Sequence, residues 1–141
     1  MRSDWQEYFM SVAQVVSTRA TCPRRSVGCV IVRDRNILAT GYNGSLPGAR
    51  HCTDGGCMIV DSHCIQTVHA ETNAIAQAAK AGTSLKEATA YVTTRPCYNC
   101  FKILISAGIT SIYYRDTYEA HTNRYIDYYL ETNLNIVMEK I

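Results

Sequence analysis

A helix-covered α/β sheet is the fold class this sequence predicts, and three observations predict it. Apolar side chains recur at three- and four-residue spacing near the N-terminus, two short apolar runs flank a polar turn, and helix-like and strand-like stretches then alternate. Alternation after an initial hairpin argues for strand-helix-strand units with right-handed crossovers. The 141 residues read as one domain spanning 1–141, a size at which roughly 68% of the unfolded chain's surface is buried. The charge balance, 14 basic against 12 acidic side chains and a net +2, contains no polybasic stripe of the kind that tracks a phosphate backbone. A small substrate is expected rather than a nucleic-acid polymer. No apolar stretch approaches the roughly 18 residues of a membrane span, and no leader-like apolar core follows Met1, so no membrane is expected and the predicted location is the cytoplasm. Seven cysteines, an odd number, point to metal ligation in a reducing compartment rather than to a disulfide framework.

The elements follow in order. Ser3 and Gln6 resemble a capping box, and Trp5, Tyr8, Phe9, Val12, Val15 and Val16 form one stripe, so residues 4 to 18 are predicted to be an amphipathic helix packed on a sheet. Val27 to Arg33 and Ile37 to Tyr42 read as strands joined by Asp34-Arg35-Asn36 into an antiparallel hairpin. The hairpin ends in Gly41-Tyr42-Asn43-Gly44, where glycine permits positive φ and close approach of a ligand to the main chain. Most Asn-Gly pairs are simply turns.

Residues 45 to 66 are rich in glycine and cysteine, with His51, Cys52, Cys57, His63 and Cys64 close together. A loop this long needs a function or a clamp. A second, structural zinc held by Cys22, Cys52, Cys64 and either Cys57 or His63 is one reading; free buried thiols or a disulfide are the others, because the spacing lacks paired C-x2-C motifs. Thr72 to Ala81 reads as a helix stopped by Gly82, residues 89 to 94 as a strand, and Pro96 as the first position of a helix that ends at Gly108. Ile109 to Tyr114 is a further predicted strand, 120 to 131 a helix, and Leu134 to Met138 a short final strand.

The chemistry concentrates in His69-Ala70-Glu71 and Pro96-Cys97-Tyr98-Asn99-Cys100. One imidazole and two thiols are ligands that zinc prefers, and three protein ligands leave a coordination position for water, which is the catalytic arrangement. Cys97 and Cys100 share a helix face in a first turn, where the dipole favours thiolate. His69 and Glu71 are two apart, so both reach one metal only where the backbone is not yet helical. Two helix starts are therefore predicted to meet at one ion, with Glu71 as general acid and base. Singly, each feature has a plainer explanation: a glutamate in a first turn suits the dipole, a C-x-x-C can be redox or structural, and a histidine there is commonly a surface group. Their combination matches the H-x-E and P-C-x-x-C signature of zinc-dependent nucleobase deaminases.

These motifs, with Ser26-Val27-Gly28, Gly41-Tyr42-Asn43-Gly44, His51-Cys52, Tyr91-Val92-Thr93 and Ser106-Ala107-Gly108-Ile109, resemble the cytidine-deaminase-like superfamily and within it the dCMP deaminase branch, over about residues 5 to 118. The resemblance implies a three-layer α/β/α fold with a mixed five-stranded sheet and helices on both faces. It implies hydrolytic deamination of dCMP to dUMP, homo-oligomers that are usually hexamers, activation by dCTP and inhibition by dTTP bound with Mg2+. By residue, it implies zinc on His69, Cys97 and Cys100, proton transfer by Glu71, deoxyribose at Asn43, enclosure of the nucleotide by Tyr118, and the 5′-phosphate at Arg25 and Ser26. Arg24, Arg50, Arg95, Lys102 and Arg115 are alternative phosphate partners. Two rival readings are a tRNA or polynucleotide base deaminase and a non-catalytic zinc-stabilised nucleotide-binding protein.

Overall fold

The structure is a computed structural model that describes residues 1–141. Helix α1 (Trp5–Ser17) starts at Asp4, whose carboxylate accepts the Glu7 N–H at 2.8 Å. The cap is therefore Asp4, one residue after the predicted Ser3, and the acidic cap also complements the positive end of the helix. The buried line of α1 is Phe9, Met10 and Ala13, while Trp5, Tyr8 and Val15 stay exposed. Of the two outer rings in the sequence stripe, Trp5 stacks on Phe9 and Tyr8 meets it edge-on, and neither enters the core.

Strands β1 (Gly28–Arg33) and β2 (Asn36–Tyr42) form the antiparallel hairpin, turning through Asp34 and Arg35, both at positive φ. After β2 come β3 (Gly44–Ser45), the short helix α2 (Cys52–Gly55), β4 (Ile59–Val60), β5 (His63–Cys64) and β6 (Thr67–Val68). β3 pairs with β6 and β4 with β5, so the long insertion is tied at its base and folded back on itself. Then follow α3 (Ala70–Ala81), β7 (Thr89–Thr94), α4 (Tyr98–Ser106), β8 (Ser111–Asp116), α5 (Asn123–Thr132) and β9 (Val137–Lys140). Gly82 closes α3 at φ 71°, a left-handed conformation that costs glycine little. Both last strands begin two or three residues later than the apolar runs suggested, because Ile109 and Ile136 serve the connections that lead into them.

The main sheet has five strands in the order β2-β1-β7-β8-β9. β1 is antiparallel to β2 and β7, whereas β7, β8 and β9 run parallel, so the sheet is mixed. Successive side chains of a strand face opposite ways, and β1 shows it. Val30 and Val32 pack with Phe9, Met10 and Ala13 of α1 on one face. Cys29 and Ile31 join Ala74 and Ala78 of α3, Phe101 and Leu104 of α4 and Ile126 of α5 on the other. Three layers result, with one helix on one side and three on the opposite side. No helix is long and apolar enough to cross a membrane.

Candidate active site and metal centre

The parallel pair β7 and β8, with α4 between them, sets the start of α4 just beyond the end of β7. A residue before proline is held to extended backbone, so Arg95 continues the strand direction and Pro96 makes the corner. Pro96 precedes the cap rather than forming the first helical turn: Cys97 is the N-cap, at φ −69° and ψ 166°, and α4 begins at Tyr98. His69 caps α3 in the same way, at φ −65° and ψ 152°. Two helix mouths thus face one point, with an extended residue at each. This is why His69 and Glu71 reach the same place despite their spacing.

Gly41 of β2 sets the distance between α3 and the sheet. A Cβ there would lie 2.3 Å from the Ala70 carbonyl oxygen and 2.4 Å from the Ala74 nitrogen. Neither Gly41 nor Gly44 has positive φ. The expectation of a glycine-permitted approach by a ligand is corrected: Gly41 admits the backbone of α3.

The donor atoms of His69, Cys97 and Cys100 lie within 4.8 Å of one another. His69 Nδ1 is 3.7 Å from Cys97 Sγ and 3.3 Å from Cys100 Sγ. A tetrahedral zinc with nitrogen at about 2.0 Å and sulfur at about 2.3 Å would set such donors about 3.6 Å apart. The triad therefore fits zinc in size and in chemistry. Cys97 is held down to about 4, first by the Cys100 thiol that donates to it, with burial opposing and His69 and the Cys100 N–H assisting. Cys100 is correspondingly raised, chiefly by that same contact. His69 is raised by its hydrogen bond to Cys97.

Glu71 is buried, 5% exposed, beside this triad. Burial pushes its carboxyl up to about 7, and the negative charge of Cys97 adds to the effect, while its own backbone N–H and His69 oppose it. A carboxyl poised near neutrality can both accept and return a proton.

Above the triad opens a cavity of about 410 Å³, within the range of small-molecule sites. Arg25, Asn43 and Tyr118 line it together with His69, Glu71 and Cys97; Arg24, Arg95 and His63 complete the rim. The Arg25 guanidinium lies over the Tyr118 ring at 5.2 Å. Asn43 is buried and uses its amide to shape the wall: Oδ1 accepts the Val27 N–H and Nδ2 donates to the Arg25 carbonyl, each at 2.8 Å. Ser26 is exposed and is not brought to the cavity wall. Of the alternative cations, Lys102 lies over Tyr98, Arg115 is engaged by Asp116 and Gln14, and Arg50 lies against Gly55 while its backbone carbonyl accepts from Gln66 Nε2, whereas Arg24 and Arg95 face the cavity. Arg95 is also ion-paired with Asp127 at 3.0 Å. Its position, one residue past β7 and next to Pro96-Cys97, was the signal available in the sequence.

A second cluster stands in the insertion. The sulfurs of Cys52, Cys57 and Cys64 lie within 4.8 Å of one another, with 3.8 Å between Cys52 and Cys64. No disulfide forms among the seven thiols. Cys22 is buried close by, near enough for its charge to be felt at Cys57. His63 is not part of the three-sulfur group and faces the cavity instead.

A mixed five-stranded sheet that presents H-A-E and P-C-x-x-C at two converging helix starts defines the zinc-dependent deaminase class. Comparison with known proteins narrows it. The family model described as the cytidine and deoxycytidylate deaminase zinc-binding region matches residues 3–116, and the chain belongs to that family. It is 48% identical over 120 residues to ComE operon protein 2 of Bacillus subtilis, covering 85% of this chain and 64% of that one. Deoxycytidylate deaminase of Mycobacterium phage D29 is 37% identical over 125 residues, covering 80% of this chain and 95% of that one. The solved dCMP deaminase of cyanophage S-TIM5, in complex with dCMP and dUMP, superposes with a TM-score of 0.82 at 31% identity, covering 100% of this chain and 99% of that one. Two further curated relatives are longer, and the chain spans 39% and 40% of them.

Proposed function

We propose that this chain is a hydrolase acting on the C–N bond of a cyclic amidine, converting dCMP and water to dUMP and ammonia and so supplying dUMP for dTMP synthesis. The observation that carries the reading is the buried Glu71 carboxyl, poised near 7 beside His69, Cys97 and Cys100 at the floor of an arginine-rimmed cavity of nucleotide size. Family membership and the likeness to deoxycytidylate deaminases support it.

His69, Cys97 and Cys100 would hold the zinc. When bound, zinc supplies the Lewis acidity that makes a water nucleophilic near neutral pH. Glu71 accepts a proton from the attacking water and passes it to ring N3, which makes C4 electrophilic. After oxygen adds to C4, Glu71 carries the remaining proton to the exocyclic amine, which leaves as ammonia. Arg25 is the first choice for the 5′-phosphate, with Arg24 and Arg95 in reach of the same cavity, since a phosphate dianion is best met by guanidinium groups. Asn43 holds the Arg25 loop and presents the rest of its amide to the deoxyribose, and Tyr118 closes the nucleotide in beneath Arg25.

Cys52, Cys57 and Cys64, with Cys22 as fourth ligand, would hold a second, structural zinc that ties the insertion together. The three-sulfur geometry supports this, and His63 is then free for the substrate side. Elemental analysis should find more than one zinc per chain; a single zinc, lost with Cys97→Ser, would remove the second site. The family resemblance supports a cytosolic homo-oligomer, a hexamer, activated by dCTP and inhibited by dTTP with Mg2+.

A parallel assay of dCMP, deoxycytidine, cytidine and a tRNA, each with and without dCTP or dTTP, tests the substrate. Turnover of dCMP well above the nucleosides is expected. Turnover of tRNA without dCMP would establish a polynucleotide deaminase instead, and zinc binding with no turnover of any of them would leave a non-catalytic nucleotide-binding protein.

A further inference from the structure

The two thiols of the metal triad are not equally buried. Cys97 is the N-cap residue of α4 and is half-buried. Cys100, three residues on in the first turn, is buried. A thiolate out of water needs a donor, because an unpaired buried charge is costly.

Outside the triad itself, one hydroxyl reaches it. Thr72, in the first turn of α3, places Oγ1 3.7 Å from Cys100 Sγ, within hydrogen-bonding range for sulfur. A threonine in a first helical turn ordinarily spends its hydroxyl on its own helix; this one crosses to α4. We propose that Thr72 is a positioning residue for the metal centre: its hydroxyl donates to the Cys100 thiolate and locks together the two helices that supply the triad. The inference rests on the zinc reading above and deepens it.

The bond has two consequences. It stabilises the unprotonated thiolate, the form that binds metal, and it fixes the direction of the Cys100 lone pairs relative to His69, which is borne by the same helix start as Thr72. Partners of this kind, one step outside the ligands, are worth about 10- to 100-fold in metal affinity. The threonine methyl alone would provide neither effect.

The test compares wild type with Thr72→Val, which keeps the shape, Thr72→Ala, which removes crowding, and Thr72→Ser, which keeps the hydroxyl. Zinc affinity is read by competition with a chromophoric chelator, and the sulfur-to-metal charge-transfer band is read in the cobalt-substituted proteins. The expected result is a loss of about 10- to 100-fold in affinity for the valine and alanine variants. A shift of their charge-transfer band to longer wavelength should accompany it, with both properties restored in Thr72→Ser. Affinity within about twofold of wild type in the valine and alanine variants, with an unmoved band, would overturn the role, as would a serine variant as weak as valine. Failure of wild type to bind zinc in a Cys97-dependent manner would instead overturn the metal reading itself.

Discussion

Replacing Gly41 by alanine should disturb the metal centre from a position that touches no ligand. The added Cβ would stand 2.3 Å from the Ala70 oxygen and 2.4 Å from the Ala74 nitrogen, where ordinary contact begins at 3.4 Å. Both atoms are backbone, so no side chain can swing away, and α3 must retreat from β2 by about 1 Å. Overpacking of this kind costs about 1–3 kcal/mol. Metal–ligand distances tolerate only about 0.2 Å. Because His69 caps α3 and Glu71 lies in its first turn, the retreat carries the proposed ligand and the proposed proton carrier away from Cys97 and Cys100. Thermal unfolding and chelator competition on Gly41→Ala measure the two effects. A drop in Tm of roughly 3–10 °C is expected, together with at least about tenfold weaker zinc binding, the equivalent of 1.4 kcal/mol. An unchanged melt with unchanged zinc affinity would refute the claim that the β2–α3 approach sets the site.

Two further outcomes follow from the electrostatics. In zinc-stripped protein, the Glu71 carboxyl titrates near 7 when folded against 4.5 in the reference state. Its burial is therefore tolerated in full below pH 4.5 and becomes a penalty that grows as pH rises from 4.5 and levels off above 7. Glu71→Gln, which mimics the protonated form, should be more stable than wild type by on the order of 3 kcal/mol at pH 8 and equal to it at pH 4, as read by urea unfolding; the same difference at both pH values would contradict the burial argument. Arg25→Ala should raise KM for dCMP by about 10- to 100-fold, the loss expected of a charge-assisted hydrogen bond, and leave deoxycytidine turnover unaltered. Equal loss on both substrates would show that Arg25 serves the loop and not the phosphate.

The sequence was most readable where one residue type admits few geometries. His69-Ala70-Glu71 and Cys97 to Cys100 must sit at non-helical helix starts for their spacing to work, and the structure places both there. The hairpin and β7 were readable from apolar runs bounded by polar turns. The insertion was not, because β3 to β6 are two-residue strands whose pairing is made by contacts far apart in the chain, which carry no local period. The role of Gly41 was misread for a related reason: a glycine needed for φ and one needed for space look the same until the helix packed on it is known. Arginines posed the same difficulty. Arg24, Arg25 and Arg95 differ from Arg115 only in what the fold puts in front of them.

The most direct measurement of the central claim pairs two readings on one variant, zinc content and ammonia release from dCMP by Glu71→Ala. If His69, Cys97 and Cys100 bind the metal and Glu71 only moves protons, the variant keeps its zinc at the wild-type level while ammonia release disappears. Continued deamination at the wild-type rate, or loss of the metal along with the activity, would contradict the account.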